Sequence, residues 1–402
     1  MDPLFDARLP GARVAFALAA AEVEQHAQWR AAAATFRAID QVLREAELHP
    51  DVFVDEQMLR GDAVELSVRA AAADLAVRLN LAEVTVRNHG QVARTLRERM
   101  PLVWAWFCEG EVSTPNAREA ASVVVELPRE SWHDFDAQLL DAARHLAPAR
   151  FRAAARSLRE RLNPTPLAER RVHAMERRLV YTEPDRDGMG WLNAYLPIES
   201  LSLAMAHVDG LAFEHFREAD ETRTMNQLRA DVLADLLAGA GAGSKATFTV
   251  ALSIPALSLL GASSEPALME GVGPIDLETA RRLAGDARSF TRLLTDPFDN
   301  RVLQLDPTQR RPSAALKRWL RQQHATCDFP GCGRRAVSCD LDHTRSRGAG
   351  GPTSAANLAP RCRKHHTMKH QTKWRVEQPP GSTRARWTSP TGHVRDADPP
   401  PF

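Results

Sequence analysis

Two ligand pairs near the end of the chain constrain its fold more than any other feature. Cys327 and Cys332 form a C-x4-C pair, and Cys362 and His365 form a C-x2-H pair. Pro330-Gly331 lies inside the first pair and supplies a turn that lets both thiolates converge. Cys362 and His365 are three apart on an expected helix and therefore share a face. Three thiolates and one imidazole complete a tetrahedral set of soft ligands for Zn2+ with no position left open, which is the pattern of a structural ion. The segment holds few large apolar residues, and a bound ion supplies folding energy that so small a core cannot. The fourth cysteine of this stretch, Cys339, has no partner at ligand spacing and reads as a small, half-buried packing residue. The fifth, Cys108, is remote.

An odd cysteine count argues against a disulfide framework. The apolar stretch Val14 to Ala21 follows Asp2 and Asp6 and runs into Glu22 and Glu24, so it reads as an amphipathic helix and not as an export signal. No apolar run reaches the ~18–20 residues a membrane span needs. A cytoplasmic protein that does not enter a membrane is the expectation.

The formal net charge is +1 over 402 residues, which excludes a uniformly basic coat for nucleic acid. That total hides an asymmetry. Residues 301–402 carry 19 Lys/Arg against 7 Asp/Glu, a net of +12, while residues 1–300 carry 33 against 44, a net of −11. One end is cationic and the remainder acidic.

Hydrophobic residues make up 44% of the chain, as expected of a folding protein. The length fits two or three domains. Residues 1–170 read as helices. Val64, Val68, Ala71, Ala72, Leu75 and Leu79 recur at helical spacing after a Gly61-Asp62 cap. Thr114-Pro115 opens another helix, and Pro148 stands in the first turn before Phe151, Ala155, Leu158 and Leu162. Residues 171–312 read as an α+β continuation. Leu179 to Tyr181 and Trp191 to Leu196 suggest strands around a Pro184–Gly188 turn; Ala238 to Ala246 reads as a flexible loop, Thr247 to Ile254 as a β-prone run, and 276–295 as helix. A basic helix is expected at 313–323. Residues 313–378 form the last domain, and 379–402 a tail rich in Pro and Gly, with one weak strand near Arg386-Trp387-Thr388 and a disordered tip at Pro399-Pro400-Pro401.

A second layer of chemistry overlies the cysteines. Asp340-Leu341-Asp342-His343 is a short extended run, followed by a glycine loop from Gly348 to Gly351, then Asn357 and His366. A histidine beside a carboxylate, with a second histidine nearby, can provide one cation site and one general base. Phosphodiester cleavage needs both. His365 and His366 are adjacent on a helix and thus ~100° apart around it, so one can face the thiolates and the other a cleft. His343, thirteen residues, Asn357, eight residues and His366 together resemble the HNH nuclease motif. The resemblance implies a zinc-stapled ββα-metal domain, with His343 as general base and Asn357 tying the loop that orients it. It implies that Asp342 and His366 hold a catalytic Mg2+ or Mn2+, and that Cys327, Cys332, Cys362 and His365 hold structural Zn2+.

Alternation along a strand puts Asp342 and His343 on opposite faces and Asp340 on the face of Asp342, where it reads as a partner behind a metal ligand or, the slightly favoured reading, as a solvated carboxylate. His370, one turn beyond His366, reads as a back-up metal ligand or, the favoured reading, as a solvated or phosphate-contacting residue. Arg345, Arg347, Arg361, Arg363, Lys364, Lys369 and Lys373 surround the motif, with Arg334 and Arg335 beside it. Cations around a phosphate-cutting site point to double-stranded DNA held through its backbone.

Residues 1–320 resemble a helical domain of unknown function that precedes HNH nucleases in actinomycetes and their phages. The stretches that carry this resemblance are Asp187-Gly188-Met189, Arg223-Thr224 with Gln227 to Asp231, Gly273-Pro274-Ile275 and Leu294 to Pro297. Arg223, Arg229 and Asp231 read there as members of a buried salt bridge or cap. The acidic balance leaves residues 1–300 for self-association or a protein partner. The expectation is thus a mainly α N-terminal region with a small α+β middle part, ending in a metal-dependent DNA endonuclease domain. The alternative is a zinc-stapled protein that binds DNA, or regulates, without cutting.

Overall fold

The structure, a computed structural model, describes residues 10–58, 61–163, 167–218, 220–238, 252–254, 266–269, 273–285, 312–379 and 384–399, with single positions between them. The chain divides into two compact units: residues 1–164 with 293–402, and residues 165–292. Most described residues are helical and the sheets are small. No described helix is long and apolar enough to cross a membrane.

The first unit begins with α1 (Pro10–Leu48), a helix of 39 residues. Its second half buries Ala33, Phe36, Ile39, Leu43 and Ala46, at the three- and four-residue spacing of one face. In its first half Val14, Phe16, Leu18 and Val23 are exposed. The helices α2 (Ala63–Leu79) and α3 (Glu83–Arg99) pack on α1. Asp62 occupies the N-cap position of α2 but makes no capping bond with its side chain. The helices α4 (Pro101–Glu109), α5 (Thr114–Val124), α6 (Trp132–His145) and α7 (Pro148–Leu162) complete the bundle. Ser113, one residue before the expected Thr114-Pro115 start, caps α5 by accepting from the Asn116 backbone N–H at 3.3 Å. Phe36, Leu96, Met100, Phe107, Phe135, Leu139 and Phe151 form the core of these helices.

A second core in this unit joins distant parts of the chain. Ile39, Leu43, Val77, Val86 and the run Ala70 to Ala73 pack with Cys327, Phe329, Cys362, Met368, Trp374 and Trp387. Four consecutive buried alanines keep α2 thin all round its axis, so a large aromatic side chain from the C-terminal segment reaches its backbone. Trp374 Nε1 donates to the Ala70 carbonyl at 3.2 Å. Phe329 meets Trp374 and Trp387 edge-on, each with ring centres 5.1 Å apart, a favoured aromatic arrangement.

In the second unit, α8 (Leu167–Glu176) precedes the antiparallel pair β1 (Leu179–Pro184) and β2 (Gly190–Tyr195). The helices α9 (Ile198–Phe216) and α10 (Met225–Ala238) then pack through Val208, Ala212, Leu228 and Val232. Arg223 pairs with Glu221 and Asp231, and Arg229 with Asp209; Arg223, Asp231, Arg229 and Asp209 are accessible, while the Glu221 side chain is buried. Strands β3 (Leu252–Ser253), β4 (Ala267–Met269) and β5 (Gly273–Ile275) form an antiparallel sheet beside α11 (Leu277–Gly285). The expected loop beyond Ala238, the β-prone run before Leu252, residues 286–295 of the expected helix, Leu294 to Pro297, and the tip Pro400-Pro401 lie outside the described residues.

Candidate metal centre

Helix α12 (Ala314–Gln323), capped by Ser313, introduces the site. Its Leu316, Trp319 and Leu320 pack on Leu358 and so support the strands that follow. Strand β6 (Asp340–His343) pairs antiparallel with β7 (Leu358–Arg361), and α13 (Arg363–Gln371) follows directly. Beyond it, β8 (Arg375–Glu377), β9 (Arg386–Thr388) and β10 (Val394–Asp396) form a three-stranded antiparallel sheet.

The thiolate cluster is built from a turn and a helix start. Gly331 has φ +76°, a left-handed conformation that glycine adopts without strain, and the Cys332 N–H donates to the Phe329 carbonyl at 3.0 Å. That turn folds Cys332 back beside Cys327. Cys362 occupies the N-cap position of α13, where the helix dipole favours a thiolate. The ligand atoms of Cys327, Cys332, Cys362 and His365 all lie within 4.8 Å of one another. His365 Nδ1 is 3.4 Å from Cys327 Sγ and 3.3 Å from Cys362 Sγ. A tetrahedral zinc with ordinary bond lengths spaces its sulfur and nitrogen ligands by about 3.5 Å, so this donor set fits the ion. Hydrogen bonds from Cys327 and Cys332 push the Cys362 thiol well below its usual range. Phe329 stacks on the His365 ring with centres 4.0 Å apart and shuts that side from water. Cys339, buried, points its Sγ at the Arg335 carbonyl and stands outside the ligand set.

A second cluster lies on a neighbouring face of α13. His366 and His370 are four apart, so they share a face one turn from each other. Their Nε2 atoms stand 3.5 and 3.7 Å from Asp342 Oδ1. These three residues form a second group whose ligand atoms lie within 4.8 Å of one another. Asp340 takes His366 Nδ1 at 3.0 Å, which leaves Nε2 of that ring for an ion. Asp340 is thus a partner of His366, and the reading of it as a merely solvated carboxylate does not hold. His370, likewise, belongs to the cluster.

The other oxygen of Asp342 is engaged by cations. Arg361 Nη1 and Lys369 Nζ reach Oδ2 at 2.8 and 2.7 Å. Arg361 is fully buried and also pairs with Asp328 at 2.9 Å. Burial alone would raise the Asp342 pKa, but the charges of Arg361 and Lys369 outweigh it and hold the carboxyl at about 2. Removing one partner from so buried a pair costs ~3–5 kcal/mol, because the other charge is left uncompensated.

His343 takes the alternate face of β6, with register Asp342↔Ala359 and His343↔Leu358. Its Nε2 is 3.0 Å from Thr353 Oγ1, which also accepts from Arg347 Nη1 at 2.7 Å. Burial lowers the His343 pKa, with Arg347 and Lys369 adding to the effect, so a neutral imidazole is favoured. Asn357 ties the intervening loop. Its Nδ2 donates to the Arg345 and Pro352 carbonyls at 3.0 and 2.7 Å, and its Oδ1 accepts from the Arg345 N–H at 2.8 Å. Gly351 lies against this knot; a Cβ there would stand 1.9 Å from the Arg345 carbonyl, so no larger residue fits.

The expected DNA-facing cations divide in two. Arg345, Arg347, Arg363 and Lys373 are exposed. Lys364 and Lys369 instead point inward: Lys364 pairs with Glu83, and Lys369 binds Asp342 and the His343 carbonyl. Their ammonium groups neutralise carboxylates of the site, which is why neither faces solvent as expected.

A family model described as a domain of unknown function (DUF222) matches residues 23–323. The chain belongs to that family. Among its relatives is the uncharacterized protein Rv3776 of Mycobacterium tuberculosis, 29% identical over 374 residues, covering 82% of this chain and 70% of the relative. The uncharacterized proteins Rv2100 and MT2160, from two strains of the same species, are 28% identical over 295 residues, covering 60% of this chain. The chain spans 52% of the length of those two. No solved structure matches it.

The DUF222 match ends at residue 323, just before Cys327, so both ligand clusters lie beyond it. The DUF222 region nevertheless reaches the site. Glu83, at the start of α3, accepts from His365 at 2.6 Å and from Lys364. Burial would raise the Glu83 pKa, but its hydrogen bond to His365 and the nearby positive charges outweigh this, so it stays a carboxylate. Sequence reasoning did not find Glu83, read Arg361 as one more DNA-facing cation, and ranked second the roles that Asp340 and His370 take here. The four-residue step from His366 to His370 and the shared strand face of Asp340 and Asp342 were usable signals; nothing local marked Glu83 or the burial of Arg361.

Proposed function

We propose that this DUF222 protein is a metal-dependent HNH-type endonuclease that hydrolyses phosphodiester bonds of double-stranded DNA in the cytoplasm. The observation that carries the reading is the convergence of Asp342, His366 and His370 beside a separate, complete cysteine-histidine cluster. The spacing of His343, Asn357 and His366 supports it.

Asp342, His366 and His370 would hold a divalent cation that neutralises charge on the scissile phosphate and supports the leaving oxygen. Two imidazoles and one carboxylate suit Mn2+ better than Mg2+, which prefers oxygen donors. Cys327, Cys332, Cys362 and His365 would hold Zn2+ and keep β6, β7 and α13 together. His343 takes the proton of the attacking water. In the tautomer where its Nε2–H donates to Thr353, its Nδ1 is open to receive that proton. Asn357 and Gly351 keep the loop that carries Thr353 in place. Exposed Arg345, Arg347, Arg363 and Lys373, with Arg334 and Arg335, contact the DNA backbone without reading sequence.

A second reading is favoured by one feature. Arg361 and Lys369 already neutralise Asp342, as in a structural ion pair, so the module would bind DNA without cutting it. A plasmid-nicking assay in Mn2+ and Mg2+ separates the two. The endonuclease reading expects His343→Ala to lower the rate by ~10²–10⁴-fold with zinc content unchanged. Retained DNA binding, with no nicking by the wild type in either metal, would leave the second reading.

A further inference from the structure

Glu83 stands 282 residues before His365 in the chain, yet its Oε1 lies 2.6 Å from His365 Nε2. The other ring nitrogen, Nδ1, is the one that faces the thiolates of Cys327 and Cys362. The imidazole is therefore bridged, with sulfur on one side and a carboxylate on the other. Both partners are secluded, His365 at 1% and Glu83 at 12% side-chain exposure. The position of Glu83 is itself fixed. It opens α3, where a negative charge is favoured in the first turn. Lys364, the residue before His365, takes its second oxygen.

Further contacts fix the same helices against the C-terminal segment. Trp374 donates to the Ala70 carbonyl, Thr391 pairs with Asp74, and the Lys373 N–H donates to the Phe53 carbonyl at 2.9 Å. An imidazole that binds a metal through one nitrogen is oriented, and made a better donor, by a carboxylate on its other N–H.

We infer that Glu83 is the positioning residue of the thiolate metal site, so that metal retention by the C-terminal segment depends on the DUF222 helices. This rests on the reading of Cys327, Cys332, Cys362 and His365 as a metal site. The helical region thereby acquires a defined physical role. It completes the hydrogen bonding of a metal ligand that the C-terminal segment cannot satisfy alone.

The test uses the full-length protein as purified, with zinc content measured directly and zinc affinity measured by competition with a chromogenic chelator. Four forms are compared: wild type, Glu83→Gln, Glu83→Ala and Arg87→Ala. Circular dichroism confirms that the helices persist. Glu83→Ala is expected to weaken zinc binding by ~10–100-fold. Glu83→Gln, which keeps an acceptor and the shape but loses the charge, falls between it and wild type. Arg87→Ala, an exposed position of α3 outside both ligand clusters, holds zinc like wild type. Zinc-loaded Glu83→Ala and Glu83→Gln proteins with wild-type affinity would overturn the inference while leaving the metal site standing. A wild-type protein that carries no metal and takes up none would overturn the site and the inference together.

Discussion

The two ligand clusters on neighbouring faces of α13 differ in almost every physical respect. The thiolate cluster has four ligands and a stacked aromatic lid. It also has a carboxylate behind its histidine, and its residues are buried except for a half-buried Cys332. The Asp342 cluster has three ligands, with His366 half-buried and His370 exposed, and its carboxylate is shared with Arg361 and Lys369. A closed soft-ligand set cannot admit a substrate and suits an ion that holds the fold. A three-ligand set open to solvent leaves positions for water and phosphate. One short helix serves both because adjacent histidines diverge by ~100° around its axis.

The largest effect that sharpens this contrast is expected at the closed site. Cys362→Ser should abolish zinc retention and unfold the C-terminal segment, read as loss of zinc and of the thermal transition of the first unit. Because Trp374, Trp387 and Phe329 share a core with α2, the helices should lose stability as well. A variant that stays folded and loses only DNA cleavage would break the distinction between a structural and a working site. The smallest effect is expected at the rim. Arg345→Ala with Arg363→Ala should leave stability within ~0.5 kcal/mol of wild type. The same pair should reduce the salt dependence of DNA binding, by about one unit of slope for each phosphate no longer neutralised, measured by fluorescence anisotropy across salt concentrations.

What the sequence revealed follows the range over which each signal acts. The C-x4-C and C-x2-H pairs were legible because turn and helix geometry fix ligand spacing locally, and the structure brings all four residues together. The helices between Pro10 and Leu162 were legible from period, caps and proline positions, and the strands flanking Pro184–Gly188 from the turn residues between them. Lys364 and Lys369 sit among a run of cations, and composition could not separate those aimed at Glu83 and Asp342 from those aimed at solvent. Arg361 looks like one more basic residue, but it is the fully buried partner of two carboxylates that pairing places beside it. Glu83 lies in a helix with no motif around it, and only the packing of α3 on the C-terminal segment gives it a role.

The most direct measurement is cleavage of supercoiled plasmid by the zinc-loaded, full-length protein titrated with Mn2+. Wild type is compared with a His366→Ala, His370→Ala double variant. Nicking that rises with Mn2+ to a plateau in the wild type, and is lost in the double variant while its zinc is retained, is the outcome expected of a cation held by Asp342, His366 and His370. Equal nicking by both proteins, or none by the wild type at any Mn2+ concentration, would contradict it.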